Sequence, residues 1–135
     1  MRKVRIRRRT VLAAAVALNP TNLNWLTAAD ATPGIRIPDL DGELLLDAET
    51  RAAAADDYGH IVHRTPLAVL RPASTRDVQK MIHFANRHRL KVTTRGQGHS
   101  TYGQAQTTGV VIDSSTMATI HQVAEGYAVV DGQYR

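Results

Sequence analysis

A glycine-punctuated loop between two predicted strands constrains the fold of this chain more than any other feature. The loop is the run Thr93-Thr94-Arg95-Gly96-Gln97-Gly98-His99-Ser100-Thr101-Tyr102-Gly103-Gln104-Ala105. Three glycines within eight residues allow a backbone to turn tightly and to approach a ligand closely. Consecutive backbone amides in such a loop form a concave anion site, which suits a diphosphate, and His99 is its obvious reactive side chain.

The segments around this loop predict an α+β arrangement. Short apolar runs predict strands over 67–70, 91–94, 109–113 and 127–131. Because a helical pattern separates the first two runs, the order is strand, helix, strand, Gly loop, strand, strand, which is typical of an α+β fold.

Two helices are predicted from capping residues and periodicity. Asp47 is the expected N-cap of an Ala-rich helix over 47–56, which the polar turn at Asp56 and Asp57 would end. Ser74 followed by acidic Asp77 resembles a capping box, and a helix is expected from there to about residue 88. Its expected apolar face has helical spacing and comprises Val78, Met81, Ile82 and Ala85.

The Gly loop resembles the flavin-binding loop of FAD-linked oxidases of the vanillyl-alcohol-oxidase type, the superfamily with a PCMH-type FAD-binding domain. Within it, the loop looks most like the cytokinin dehydrogenase and berberine-bridge-enzyme-like branch, where the pattern is R-G-x-G-H-S-x-x-G-Q-A. All eight fixed residues are present between Arg95 and Ala105. The resemblance covers roughly 56–135, including Asp57-Tyr58-Gly59-His60 and Ala68-Val69-Leu70-Arg71-Pro72. It implies the N-terminal fragment of such a domain, truncated before a further FAD-binding portion and a substrate domain.

The resemblance also implies a cofactor and a chemistry. FAD is the expected cofactor, held covalently by His99 through the 8α-methyl carbon of its isoalloxazine ring. The residues expected to hold its diphosphate and ribityl part are Thr94, Gly96, Gly98, Ser100 and Gln104. In the complete family the flavin takes a hydride from an alcohol or amine C–H bond of a small-molecule substrate. No catalytic acid or base can be matched, and no oligomeric state is predicted. Because the expected substrate domain and part of the FAD site are not included, the fragment is expected to be inactive alone.

The same residues also bear on other function classes. A non-enzymatic secreted α+β module, whose Gly loop holds a phosphate or nothing, stays open, and it would be colourless. A hydrolase is disfavoured, because the adjacent side chains of His99 and Ser100 rarely reach each other and no G-x-S-x-G elbow is present. A Rossmann fingerprint does not fit, since Thr101 stands where the third glycine would be.

The remaining polar residues near the loop receive structural interpretations. His60 and His63 are expected to be surface or loop residues, because no third metal ligand with suitable spacing follows and the chain has no Cys. Asp56 and Asp57 are interpreted as a turn or helix stop, since sequence neighbours do not present both carboxylates to one site. Arg95 is left between a phosphate contact and a solvent-exposed position.

The first 31 residues predict an export signal. Arg8-Arg9-Thr10-Val11-Leu12 looks like a twin-arginine pattern, although Arg7 stands where Ser or Thr is usual, and an ordinary Sec signal stays open. The apolar run over 11–18 is shorter than the ~20 residues of a membrane span, and Ala29-Asp30-Ala31 fits a cleavage site. The expected organisation is an export signal over 1–31, a lead-in over 32–55 and the incomplete FAD-binding domain over 56–135, in a periplasmic or extracellular protein.

The net charge of +5 arises in the leader. Six of the 17 Lys and Arg residues lie within the first nine positions, and only one of the 12 acidic residues precedes Thr32, so 11 of each sign remain from there on. A nucleic-acid-binding domain needs a basic face on its folded part, and this balance therefore argues against nucleic acid as a partner.

Overall fold

The computed structural model describes residues 36–132, so the predicted export signal lies outside the described residues. Their elements are β1 (Glu43–Leu45), α1 (Ala48–Ala53), β2 (Ala68–Arg71), α2 (Thr75–Arg87), β3 (Val92–Arg95), β4 (Val110–Asp113), a 3₁₀ turn (Ser114–Thr116), β5 (Ile120–Ala124) and β6 (Tyr127–Val130). The predicted α+β class is confirmed.

Four strands form one sheet in the order β1-β2-β4-β3. β4 lies between β2 and β3 and is parallel to both, with Ile112 opposite Leu70 on one side and Thr94 on the other. β1 pairs with β2 in the antiparallel sense. Because β2, β3 and β4 run in the same direction, their carboxyl ends meet at one edge of the sheet, where open α/β sheets bind ligands.

Each face of this sheet carries apolar side chains, because successive strand residues point to opposite faces. On one face the strands pack against α2 in a cluster of Leu44, Ala68, Leu70, Met81, Phe84, Val110 and Ile112. On the other face Leu45, Val69 and Val111 pack with Ala54, which follows α1. Both faces are therefore covered, as expected of largely parallel strands.

α2 confirms the predicted cap and corrects two details. Ser74 is the N-cap and its Oγ accepts a hydrogen bond from the Asp77 amide at 3.4 Å. The Asp77 carboxylate does not complete a capping box: it accepts from the amides of Asp41 (2.9 Å), Gly42 (2.8 Å) and Ala73 (2.9 Å). The buried apolar face also differs, since Ile82 is 43% exposed and Phe84 is buried instead.

The remaining elements agree with the predictions to differing degrees. The four predicted strands are present as β2, β3, β4 and β6, each within one residue of its expected ends. Asp47 caps α1 as expected by accepting from the Thr50 amide, but α1 ends at Ala53, before the predicted 56. β5 was not predicted; it pairs with β6 as a separate two-stranded sheet. Between residues 36 and 132 no helix has the length and apolarity needed to cross a bilayer.

Candidate functional site

The Gly loop leaves the carboxyl end of β3 and returns to the start of β4. Its return is fastened to β3, because the hydroxyl of Thr93 donates to the carbonyl of Gln104 at 2.9 Å. Since β3 and β4 are parallel neighbours, the loop must travel back along the sheet, and it does so without a helix. The loop therefore begins at the carboxyl edge of the sheet and ends at the start of β4.

A turn over 56–60 packs against this loop. The amide of Tyr58 donates to the carbonyl of Gly98 at 2.9 Å, and the amide of Gly59 donates to the carbonyl of Ser100 at 3.3 Å. A side chain at Gly59 has no room, because its Cβ would overlap the backbone carbonyl of Thr101. The two backbone segments thus approach as closely as glycine allows.

The Asp57 carboxylate is the polar centre of this contact. It is 4% exposed and accepts from the Ser100 hydroxyl at 2.8 Å, from the Gly103 amide at 2.9 Å and from the Gly59 amide at 3.2 Å. Burial acts to raise the pKa of Asp57, but the hydrogen bonds from Ser100, Gly103 and Gly59 outweigh it and hold that pKa below its usual value. The carboxylate is therefore ionised at neutral pH.

His99 lies on the exposed side of the loop, between the two carbonyls that accept from the turn. Its ring contacts Tyr58 edge to face, with centroids 6.1 Å apart and planes at 84°. Tyr58 is itself 71% exposed. The imidazole is thus supported on one side and open to a ligand on the other.

Backbone amides around His99 are free to bind an anion. Within residues 36–132, the amides of Gly98, His99 and Ser100 have no hydrogen-bond acceptor. Gly98 has φ +76°, a conformation that side chains rarely adopt, and its added Cβ would overlap the Arg95 guanidinium. Consecutive amides beside a left-handed residue form the type of concavity that binds phosphates, so the residues present fit the diphosphate of a dinucleotide.

Arg95 connects the loop to the neighbouring turn and to a cavity. It is half-buried, and its guanidinium donates to the carbonyl of Asp56 and lies against Gly98. The cavity, of about 260 Å³, lies at the carboxyl ends of the three parallel strands, and its charged lining residues are Glu49, Arg71, Arg95 and Asp113. Arg95 is thus not a free surface residue, and a phosphate contact for its guanidinium stays a prediction.

The predicted cofactor residues occupy one continuous segment, in different environments. Thr94 is exposed in β3, Gly96 is half-buried, and Gly98 is buried. The Ser100 hydroxyl is directed to Asp57, and the Gln104 amide oxygen accepts from the Tyr102 amide at 3.0 Å. The Ser100 hydroxyl can therefore offer a ligand only its oxygen lone pairs, since its hydrogen is already donated to Asp57.

The two histidines near the loop are surface residues, as predicted. The side chains of His60 and His63 are 70% and 60% exposed, and both approach Asp56, at 2.7 and 3.4 Å. Burial acts to raise the pKa of Asp56, but the hydrogen bond and the charge of His60 outweigh it, and that pKa is lowered. In the described part of the chain no group of three His, Cys, Asp or Glu residues could hold a metal ion.

Asp57 is the residue of this candidate site that sequence reasoning missed. It was interpreted as a turn or helix stop, and it does lie in a turn, but its carboxylate is buried against the Gly loop. The sequence signal that could have found it is its place directly before Tyr58-Gly59, within a segment that resembles the FAD-linked oxidases. Its partners are 43 and 46 residues away in sequence, beyond the reach of local pattern reasoning.

Known proteins share this sequence pattern. Residues 66–132 match the family described as a FAD binding domain. The chain is 38% identical over 84 residues to an uncharacterized oxidoreductase of the fasciation locus of Rhodococcoides fascians, covering 62% of this chain and 19% of that protein. It is 32% identical over a 139-residue alignment to cytokinin dehydrogenase 4 of Arabidopsis thaliana, covering 93% of this chain and 26% of that protein. The chain thus spans a fifth to a quarter of the length of these curated relatives.

Solved structures share the fold. The structure of 6-hydroxy-D-nicotine oxidase from Arthrobacter nicotinovorans superposes with a TM-score of 0.60 at 26% identity, over 71% of this chain and 22% of that one. The BBE-like 1 protein of Physcomitrella patens superposes with a TM-score of 0.59 at 20% identity, over 70% of this chain and 22% of that one, which is evidence for the fold alone.

Proposed function

Because this chain belongs to the superfamily of FAD-linked oxidases of the vanillyl-alcohol-oxidase type, in the branch that includes the cytokinin dehydrogenases, we propose that it provides the FAD-binding part of an exported oxidoreductase. The observation that carries the proposal is the Gly loop at the carboxyl edge of the sheet, with acceptor-free amides at Gly98, His99 and Ser100. These amides suit the diphosphate of FAD. Around them, Thr94, Gly96 and Gln104 line the same loop.

His99 is proposed as the covalent attachment point. Its imidazole is exposed, its backbone neighbours are fixed by the turn over 56–60, and the ring of Tyr58 supports one edge. A fixed and accessible imidazole meets the requirement for a covalent bond to a ligand held on the neighbouring amides. The resemblance of the loop implies the 8α-methyl carbon of the flavin as its partner. An imidazole nitrogen would replace one hydrogen on that carbon, and the two electrons released would pass to the flavin ring and from it to oxygen or another acceptor.

When bound, FAD would supply the hydride-accepting chemistry, with an alcohol or amine C–H bond as donor. This chain's residues would bind the cofactor, orient it and attach it at His99. A cytokinin-like substrate is one candidate, supported by the similarity to cytokinin dehydrogenases. No residue between 36 and 132 is assigned as a catalytic acid or base. The 135 residues by themselves are expected to show no turnover, and oxidase or dehydrogenase activity of the purified chain would contradict this.

The attachment is tested by intact mass and visible absorbance. The chain is expressed with any coding sequence that follows it in its gene, beside His99→Ala and a matched control, His83→Ala, which changes an exposed histidine of α2. We expect an FAD-sized mass increment that survives denaturation in the wild type and the control but not in His99→Ala. Yellow colour lost on denaturation would refute the covalent bond, and colourless, folded protein would refute flavin binding in favour of a binding module.

Export is proposed from the first 31 residues alone. A cofactor captured in the cytoplasm requires folding before export, which the twin-arginine route permits. Fusing residues 1–31 to a reporter that acquires its cofactor before export tests this. We expect export that is abolished when Arg8 and Arg9 are both changed to Lys. Export that persists in this variant would indicate a Sec signal, and no export would refute the leader.

A further inference from the structure

The Gly loop and the turn over 56–60 are joined around one carboxylate. Asp57 Oδ2 accepts from two points of the loop, the Ser100 hydroxyl at 2.8 Å and the Gly103 amide at 2.9 Å. Its Oδ1 accepts from Gly59 within the turn, at 3.2 Å. The same carboxylate therefore fixes the turn and both ends of the segment over 100–103.

His99 lies immediately beside these contacts. The carbonyls before and after it, on Gly98 and Ser100, accept from the amides of Tyr58 and Gly59. These two amides directly follow Asp57 in the chain, so the carboxylate that orders the turn also places the two donors that bracket His99. Tyr58, in the same turn, sets the edge-to-face contact with the imidazole.

The carboxylate also determines which polar groups of the loop are already hydrogen-bonded. It accepts the hydrogen bonds of the Ser100 hydroxyl and the Gly103 amide, while the amides of Gly98, His99 and Ser100 have no acceptor among the described residues. An ionised carboxylate suits this task because it accepts several hydrogen bonds and donates none. An asparagine in its place would have to turn its NH2 donor either towards Ser100 and Gly103 or towards the amide of Gly59.

We infer that Asp57 is the positioning residue for flavin attachment: its carboxylate shapes the Gly loop so that His99 and the three neighbouring amides meet the cofactor together. This rests on the proposed function, since it concerns the same loop. Asp57 itself remains buried beneath the loop and contacts no cofactor. Its effect is transmitted through Ser100, Gly103 and the amides of the turn.

The test compares two buried carboxylates that bind backbone amides. Asp57→Asn changes the loop, whereas Asp77→Asn changes a carboxylate that holds three amides near the start of α2. The rate of covalent flavin attachment per folded protein is measured by intact mass, together with thermal stability. We expect Asp57→Asn to slow attachment by about tenfold or more, as a misplaced reactive group does. We expect Asp77→Asn to lower the melting temperature and leave attachment unchanged.

Two variants of Ser100 keep the test informative if Asp57→Asn fails to fold. Ser100→Ala removes one bond to Asp57 and should slow attachment several-fold, while Ser100→Thr keeps the hydroxyl and should restore most of the rate. Wild-type attachment in Asp57→Asn or in Ser100→Ala would overturn the inference. Equal slowing by Asp57→Asn and Asp77→Asn would overturn it too, since the effect would then be general loss of stability.

Hydrogen exchange separates this inference from the proposed function. The amide of Gly103 should exchange about tenfold faster or more in Asp57→Asn than in the wild type, and at the wild-type rate in Asp77→Asn, whether or not flavin binds. If the wild type takes up no flavin, the proposed function fails, and accelerated exchange would limit Asp57 to ordering the loop. Unchanged exchange in Asp57→Asn would show that the carboxylate does not order the loop at all.

Discussion

Replacing Asp77 by Asn should destabilise this fold by about 3 kcal/mol. The carboxylate is fully buried and accepts three backbone hydrogen bonds of 2.8–2.9 Å, from Asp41, Gly42 and Ala73. Hydrogen bonds to a charged group contribute about 1.5–3 kcal/mol each. An amide retains one acceptor oxygen but turns a donor towards an amide N–H, so one bond is lost and the others lose their charge assistance. The sum is about 3 kcal/mol, or roughly 12–24 °C in melting temperature for a domain of this size.

The loss should depend on pH in a defined direction. Burial acts to raise the pKa of Asp77, but the bonds from Asp41, Ala73 and Gly42 outweigh it and keep that pKa below the ordinary 3.8. A carboxyl group whose pKa is lower in the folded state stabilises that state at any pH above its pKa in the unfolded state. This stabilisation is lost as the pH falls through the pKa in the folded state. The difference between wild type and Asp77→Asn should therefore be full at pH 7 and shrink below about pH 3.8.

Urea unfolding followed by circular dichroism measures both quantities. The free energy of unfolding is determined for both proteins at pH 7 and at intervals down to pH 3. A difference below about 0.5 kcal/mol at pH 7 would show that the three bonds do not stabilise the fold, because that is the ordinary range for a surface substitution. A difference that stays constant through the acid range would refute the assignment of the effect to the ionised carboxylate.

Two further outcomes follow from packing. Met81→Ala should lower the free energy of unfolding by about 2–4 kcal/mol because Met81 is 1% exposed. Ile82→Ala should lower it by less than about 1 kcal/mol, since Ile82 is 43% exposed. Equal effects of the two substitutions in denaturant unfolding would contradict this orientation of α2. Gly59→Ala should cost about 2 kcal/mol, since its Cβ would overlap the Thr101 carbonyl, while Gly132→Ala, which has open space around it, should cost almost nothing. The melting temperatures of the two glycine variants are compared. Equal values would contradict the close approach of Gly59 to Thr101.

The central strands could be predicted from the sequence because each is a short apolar run whose burial is determined by its own composition. Val110, Val111 and Ile112 are all at most 4% exposed in the structure. β5 could not be predicted in this way, because it begins with Ile120-His121-Gln122 and its residues are largely exposed. Ile82 was placed on the wrong face because its spacing suits the apolar stripe of α2 as well as Phe84 does. Only the position of the sheet decides which of the two is buried.

The Gly loop could be located from sequence because its signal is local, a dense set of glycines around His99. The environment of that loop could not be predicted from the sequence. Asp57 becomes informative only when the chain returns it to Ser100 and Gly103, more than 40 residues later. The amide oxygen of Gln104 accepts from the Tyr102 amide within the loop, and its expected contact with the flavin stays a prediction.

The position of β4 has a consequence for the order in which this fold can assemble. β2 and β3 do not pair with each other; each pairs with β4, which is the last of the four strands in the chain. During synthesis β2 can pair only with β1, and β3 has no partner, until residue 110 and its successors are available to form β4. Such non-local closure is intrinsically slow. The Gly loop, which connects β3 to that late strand, should acquire its shape only in the final step, so cofactor capture would report completion of the sheet.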